Sequence, residues 1–438
     1  MARAALPSPV IVVPGITASY LTDQYPLPPE TIWSVLTKDY ERASLHPDDT
    51  RFEALEPARV TPGQIYEIAY RELIEELRFN LRQREDRPVP VFPFAYDWRQ
   101  PLETIEAQLA AFIDEVIERT SLLRHYASAG YGDDPTVNLV GHSMGGLIIA
   151  GYLVSAKKPR VGKVATLATP FQGSFEAVIK IATGTAELGV SPPSSREREA
   201  ARMTPALYHL IPSFANGLTV ETGLPASLFD PGLWQPSVVD TIAEYVRLHG
   251  VSAANRIEQA RALFSQFLRT ARDYRRKTDG LDLKKAGLGS DDWLCVVGVD
   301  SVTRVRLQVV RRGRNPDFEL RSSDRTNQWR DTSGDPEVRR MTGDGTVPFE
   351  GAIPPFLQLA NLVCVTPDDF GYWEIQDRVT TTAAGFHGIL PNMDMLHRLI
   401  VRHFTGAPDR RGNTWGRPAP GVSADAWSPA VPDLRVKE

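Results

Sequence analysis

A short apolar run, Val137-Asn138-Leu139-Val140, passes directly into Gly141-His142-Ser143-Met144-Gly145 and then into the apolar stretch Gly146–Val154. The first segment reads as a buried strand and the last as a buried helix. A G-x-S-x-G between them is a nucleophile elbow, a strand-to-helix turn so tight that only small residues fit beside the serine. Such a turn lifts the Ser143 hydroxyl to the top of a sheet. It also aims the N-terminus of the next helix at it, where developing negative charge is stabilised.

The rest of the chain alternates in the manner this elbow requires. Strands are expected at Val10–Val13, running into the turn Pro14-Gly15-Ile16, and at Val89–Tyr96, ending in Asp97-Trp98-Arg99. Further strands are expected at Val161–Leu167, Trp293–Val299 and Leu362–Val365, with Arg304–Val310 as a half-exposed strand. Apolar residues at helical spacing mark 64–84 (Ile65, Ile68, Leu73, Ile74, Leu77, Leu81) and Leu102–Leu123 (Ile105, Leu109, Phe112, Ile113, Val116, Ile117); a last helix is expected at Met393–Phe404. Strand–helix alternation predicts an α/β fold, a mostly parallel sheet with helices on both faces. From 175 to 290 the alternation stops and the pattern turns helical, so this stretch is read as a lid or cap inserted into a core of 8–174 and 291–404. Residues 405–438, rich in Gly and Pro and without periodicity, are read as a loosely ordered tail.

Composition narrows the function classes. A hydrophobic content of 42% with 24% charged residues suits a soluble globular protein, and 438 residues suffice for a large α/β domain with a cap. A formal net charge of −5 is too small to recruit nucleic acid. Val10–Val13 is too short for the apolar region of a secretory signal, and no stretch approaches the roughly 20 apolar residues of a membrane span. The expected location is therefore cytoplasmic. Cys295 and Cys364 allow one disulfide at most, and their spacing suggests no metal site.

A serine hydroxyl becomes a useful nucleophile only when an imidazole takes its proton and a carboxylate orients that imidazole. After an elbow of this kind the chain order is Ser, acid, His. Of the eight histidines, His387, His397 and His403 follow the last expected strand. The latter two fall within the final helix pattern, which leaves His387, on a loop before it, as the base. Two carboxylates compete for the acid. Asp344 lies in the small-residue turn Gly343-Asp344-Gly345-Thr346-Val347-Pro348, and Asp300 immediately follows the strand Trp293–Val299. The backbone N–H groups of Met144 and Ile16 are the expected oxyanion hole. His142, although next to the serine, is expected to point away from the reacting face. This chemistry needs no metal and no organic cofactor.

Four segments taken together resemble the lecithin:cholesterol acyltransferase family: Val12–Ile16, Tyr96-Asp97-Trp98-Arg99, Gly141–Gly146, and Gly343–Pro348. Thr31-Ile32-Trp33, Ala168–Phe171 and Leu207–Pro212 are similar to further landmarks, so the likeness spans roughly 8–404. It implies an α/β-hydrolase fold with a lid, acting through Ser143 on the acyl ester of a lipid by hydrolysis or O-acyl transfer. It also selects Asp344 over Asp300. Tyr96, Asp97, Trp98 and Arg99 have two readings, as part of the pocket or as a buried salt bridge with an aromatic plug. The basic cluster Arg269, Arg272, Arg275, Arg276 and Lys277 likewise reads as a transient membrane-surface contact or as a solvated helix face. Unlike secreted members, the chain has nothing corresponding to the lid disulfide, and its lid shares little with theirs. The same triad also serves a small-ester carboxylesterase or a lipid-anchor deacylase. The contrasting class is a non-catalytic hydrolase-fold binding protein, against which the full set of triad residue types in the expected order argues. Oligomeric state is left open.

Overall fold

In the strand Val10–Val13 (β1) all four side chains are buried, but they are divided between two cores. Ile11 and Val13 join one apolar cluster, Val10 and Val12 the other. This is the period-2 division of a strand covered on both faces. It recurs in Trp293–Gly298 (β5), where Trp293, Cys295 and Val297 face one way and Leu294 and Val296 the other. The computed structural model describes residues 6–437 except 56, 186–192, 253, 372–373 and 375–384.

The other strands of the central sheet are Val91–Pro93 (β2), Val137–His142 (β3), Val161–Leu167 (β4) and Leu362–Val365 (β6). They pair throughout in parallel, in the order β6-β5-β4-β3-β1-β2. Helices Leu102–Ser121 (α2) and Met144–Ser155 (α3) cover one face; Glu67–Leu81 (α1) and Asp394–Thr405 (α8) cover the other. The expected strand 89–96 shortens to β2, an edge strand in which Pro93 is tolerated because it gives no bond to β1, and the last bond to β1 runs from Phe94 N–H to Val12 O at 2.9 Å.

Residues 175–290 hold Phe175–Thr183 (α4), Ser195–Met203 (α5), Pro236–His249 (α6) and Arg256–Asp279 (α7). Ser174 and Ser194 cap α4 and α5 with their side-chain oxygens. Arg202 ties three of the helices together: its guanidinium donates to the carbonyls of Ile181 and Ala182 and to Ser237. The long helix α7 lies against α3, with the Tyr274 hydroxyl donating to Leu147 O at 3.0 Å and Lys277 paired with buried Glu106 of α2. This splits the basic cluster read from the sequence. Arg275 is buried and donates to Pro170 O and His209 O, whereas Arg269 and Arg276 face solvent.

Two additions went unanticipated. Between β1 and α1 the chain makes a three-stranded antiparallel sheet from Ser19–Asp23, Glu30–Trp33 and Val60–Ile65. The half-exposed strand, observed at Leu307–Arg312, forms a hairpin with Asn315–Glu319 and takes Leu218–Val220 alongside it. None of the described helices is long and apolar enough to cross a membrane.

The C-terminal reading is corrected. Beyond α8 the chain lies along the β6 edge: Cys364 and Arg417 exchange backbone hydrogen bonds at 2.9 and 3.1 Å, and the Trp427 indole donates to Leu362 O. Buried Asp369 is satisfied by Trp415, Arg417 and Lys437 from the same segment. Composition suggested disorder because most of these bonds are made by side chains set on irregular backbone, which leaves no periodicity in the sequence. Truncation after Gly406 strips the partners from a buried carboxylate and bares a sheet edge, at a cost of about 3–5 kcal/mol or more. The truncated chain is expected to be insoluble or to melt well below the full chain in a thermal denaturation series. An unchanged melting temperature contradicts this account.

Candidate active site

Ser143 sits between β3 and α3 at φ 53° and ψ −127°, a conformation that L-residues rarely adopt. Its neighbours explain why it persists. A Cβ on Gly145 would overlap the Val13 carbonyl, and one on Gly141 would meet Ile149 and Gly146. The elbow therefore closes only with glycine at both places, and the close approach of Gly145 to Val13 sets Pro14-Gly15-Ile16 beside the serine. Met144 is the first residue of α3, so its N–H has no acceptor within the helix and lies at the positive end of the helix dipole.

The structure brings Ser143, His387 and Asp344 into one hydrogen-bonded line. His387 Nδ1 is 2.7 Å from Asp344 Oδ2, and His387 Nε2 is 2.9 Å from Ser143 Oγ. A carboxylate only accepts, so Nδ1 carries the proton and the Nε2 lone pair receives the serine O–H. Asp344 Oδ1 accepts the N–H groups of Thr346 and Val347 at 2.9 and 2.7 Å, which fixes the carboxylate and leaves Oδ2 for the imidazole. The His387 N–H also donates to Asp344 O. Asp300, the rival acid, is elsewhere: Asn327 and Arg330 hold it. His387 lies in a helical segment, 385–389, not on a loop; Ala384, just before it, is outside the described residues. His397 and His403 are buried and bonded to Pro391 O and Val164 O.

Above the serine is a cavity of about 460 Å³ with mainly apolar walls. Ile16, Trp33 and Trp98 line it from the core, and Ala177, Thr204 and Leu207 from the 175–290 segment. The Tyr96–Arg99 motif divides. Trp98 forms cavity wall, packed 4.7 Å from Trp33. Tyr96, Asp97 and Arg99 are not among the lining residues. Tyr96 donates to Pro14 O at 2.7 Å, and Arg99 grips Asp97 in a bidentate pair at 2.7 and 2.8 Å, with Glu53 beside it. Burial pushes the Asp97 carboxyl upward, but the Arg99 charge and hydrogen bonds outweigh it and hold the group below the usual carboxylate range.

His142 also departs from expectation. Its ring faces the His387 segment, with centroids 5.1 Å apart, and Nε2 is 2.9 Å from His387 O. Its Nδ1 is 2.7 Å from the Tyr70 hydroxyl. Tyr70 was not singled out in the sequence, where it reads as one more core position on α1. The available signal was a tyrosine within an apolar helical stripe, since a buried phenol ordinarily finds a polar partner.

The parallel sheet order, the helices on both faces and the strand–Ser143–helix turn define an α/β-hydrolase fold. A chain in the crystal structure of the Tle4–Tli4 complex shares it, with a TM-score of 0.57 at 14% identity over 92% of this chain and 98% of that one. Residues 51–230 match the family model described as lecithin:cholesterol acyltransferase, in agreement with the resemblance seen in the motifs. The matched stretch contains Tyr96–Arg99 and Ser143 and ends before Asp344 and His387. It supports lipid-ester hydrolase or acyltransferase chemistry in general terms. No curated protein matches the chain in sequence.

Four buried histidines give the site and core a common pH signature. Burial holds His142 and His397 below the ordinary imidazole range; burial with the Arg275 and Lys277 charges brings His209 to about 3, and burial with Lys163 brings His403 to about 4. Below pH ~6.5 the unfolded chain takes up protons that the folded chain refuses, so stability falls as pH drops, by up to ~1.4 kcal/mol per pH unit per histidine. Urea midpoints measured from pH 7.5 to 5 should decline across that window. A flat profile rejects the buried neutral state.

Proposed function

We propose that this protein is a serine-dependent lipid acyl-ester hydrolase or O-acyltransferase. The observation that carries the reading is the line Asp344–His387–Ser143 ending in a largely apolar cavity. Ser143 Oγ attacks the acyl carbonyl while its proton moves to His387 Nε2, and Asp344 balances the imidazolium. The carbonyl oxygen becomes an oxyanion held by the N–H groups of Ile16 and Met144. The intermediate collapses; the alcohol leaves with the His387 proton, and the acyl group stays on Ser143. Water or a second alcohol then gives a proton to His387 and attacks the acyl carbon; the Ser143–acyl bond breaks, the proton passes from His387 Nε2 to Ser143 Oγ, and fatty acid or a new ester is released. No metal or organic cofactor takes part in this scheme.

Several features favour a lipid over a small ester. The cavity walls are apolar, and the rim carries exposed Val35 and Ile68, with Leu36 beside them 94% exposed. Such a rim suits transient contact with a lipid surface. The 175–290 segment acts as the lid over a core of 8–174 and 291–404, because its helices supply one wall of the cavity.

Turnover of dispersed long-chain phospholipid or glyceride should exceed that of soluble butyryl esters, and Ser143→Ala should abolish both. Preference for short esters with no action on dispersed lipid transfers the protein to the small-ester esterases. Fluorophosphonate labelling that survives Ser143→Ala removes the serine mechanism.

The acid has its own test. Asp344→Asn should lower kcat roughly 10³- to 10⁴-fold, because an amide neither fixes the imidazole tautomer nor balances its charge. Asp300→Asn should stay near wild type in steady-state kinetics. The opposite ranking rejects Asp344 as the orienting acid.

A further inference from the structure

The Pro14–Gly15 peptide unit is held at both ends by buried phenols. Its carbonyl accepts from Tyr96 Oη at 2.7 Å, and its N–H donates to Tyr70 Oη at 3.0 Å. The next N–H along the chain is that of Ile16, so the orientation of this peptide sets where the oxyanion donor points. On the far side of Tyr70 the bonding continues. The His387 carbonyl only accepts, so the proton 2.9 Å from it belongs to His142 Nε2. His142 Nδ1 is then an acceptor, and the Tyr70 O–H at 2.7 Å donates to it. The polarity is consistent from end to end: Gly15 N–H to Tyr70 O, Tyr70 O–H to His142 Nδ1, and His142 Nε2–H to His387 O.

We infer that Tyr70 and His142 are positioning residues, a hydrogen-bonded bridge that holds the oxyanion turn and the backbone of the general base at fixed spacing. The inference rests on the serine mechanism proposed above. Residues 15, 70, 142 and 387 come from four separate elements, and the bridge spans the two groups that must act on opposite sides of the reacting carbonyl. His387 is secured at both of its peptide groups, its N–H by Asp344 O and its carbonyl by His142. Burial keeps the Tyr70 phenol protonated and the His142 ring neutral, so the bridge carries no charge to oppose the imidazolium formed on His387. Neither side chain is required to exchange a proton with substrate.

Tyr70→Phe keeps the ring that packs edge-on to His142 and removes only the hydroxyl. Initial rates on a long-chain ester, divided by the concentration of sites titrated with a fluorophosphonate, count only folded enzyme. Per titrated site, Tyr70→Phe should lower kcat roughly 10- to 100-fold with KM within about twofold, as expected for a misplaced oxyanion donor and base. His142→Gln places an amide N–H near the Nε2 position and should lose less than His142→Leu. Because the bridge acts as a unit, Tyr70→Phe with His142→Leu should lose no more than about twofold beyond His142→Leu alone. Turnover per site within twofold of wild type in Tyr70→Phe, with Ser143→Ala inactive, overturns the bridge and leaves the serine mechanism standing. Labelling of Ser143→Ala overturns both.

Discussion

The close approach of Gly145 to the Val13 carbonyl is the constraint on which the site depends. It lets helix α3 start directly above the sheet, holds Ser143 in its positive-φ turn and lays the end of β1 against the serine. Because β1 pairs in parallel with β3, Val13 opposite Gly141, the Pro14–Ile16 turn and the serine leave the sheet at the same level. The two are neighbours through strand register.

The remaining groups reach that level by longer routes. The Asp344 turn is pinned through its own backbone, and one carboxylate oxygen is spent on Thr346 and Val347 so that the other meets His387. Asp300 occupies the place that topology alone suggests, at the end of β5, but its oxygens are taken by Asn327 and Arg330. Around the cavity the polar pairs have a different purpose. Arg99 with Asp97, and Lys277 with Glu106, hold separate segments in place without presenting charge to the cavity. Removing one partner of such a pair strands a buried charge, so they act on geometry more than on net stability.

Much of the fold and of the candidate site is legible in local pattern. The sheet strands, the helices on both faces and the elbow follow from periods of 2 and 3.6 and from glycine spacing, within a few residues of the observed bounds. Chain order and position pointed to His387, and the family likeness to Asp344 over Asp300 where spacing did not; these are the two residues that the structure sets in line with Ser143. The departures share one cause. Whether Arg275 and Lys277 face inward, whether 405–438 has a partner, and what Tyr70 bonds to are all fixed by residues far away in the chain.

By itself, then, the sequence determined the α/β alternation, the strained serine turn and the residue types available around it, because each depends on neighbours only a few positions apart. Only the tertiary structure decided that Asn327 and Arg330 hold Asp300 away from His387, that Trp98 alone of its motif lines the cavity, and that His142 meets the His387 carbonyl directly while Tyr70 ties it to Gly15. Those outcomes are settled by the packing of separate elements and by which buried polar atoms find partners. No single stretch of chain contains that information.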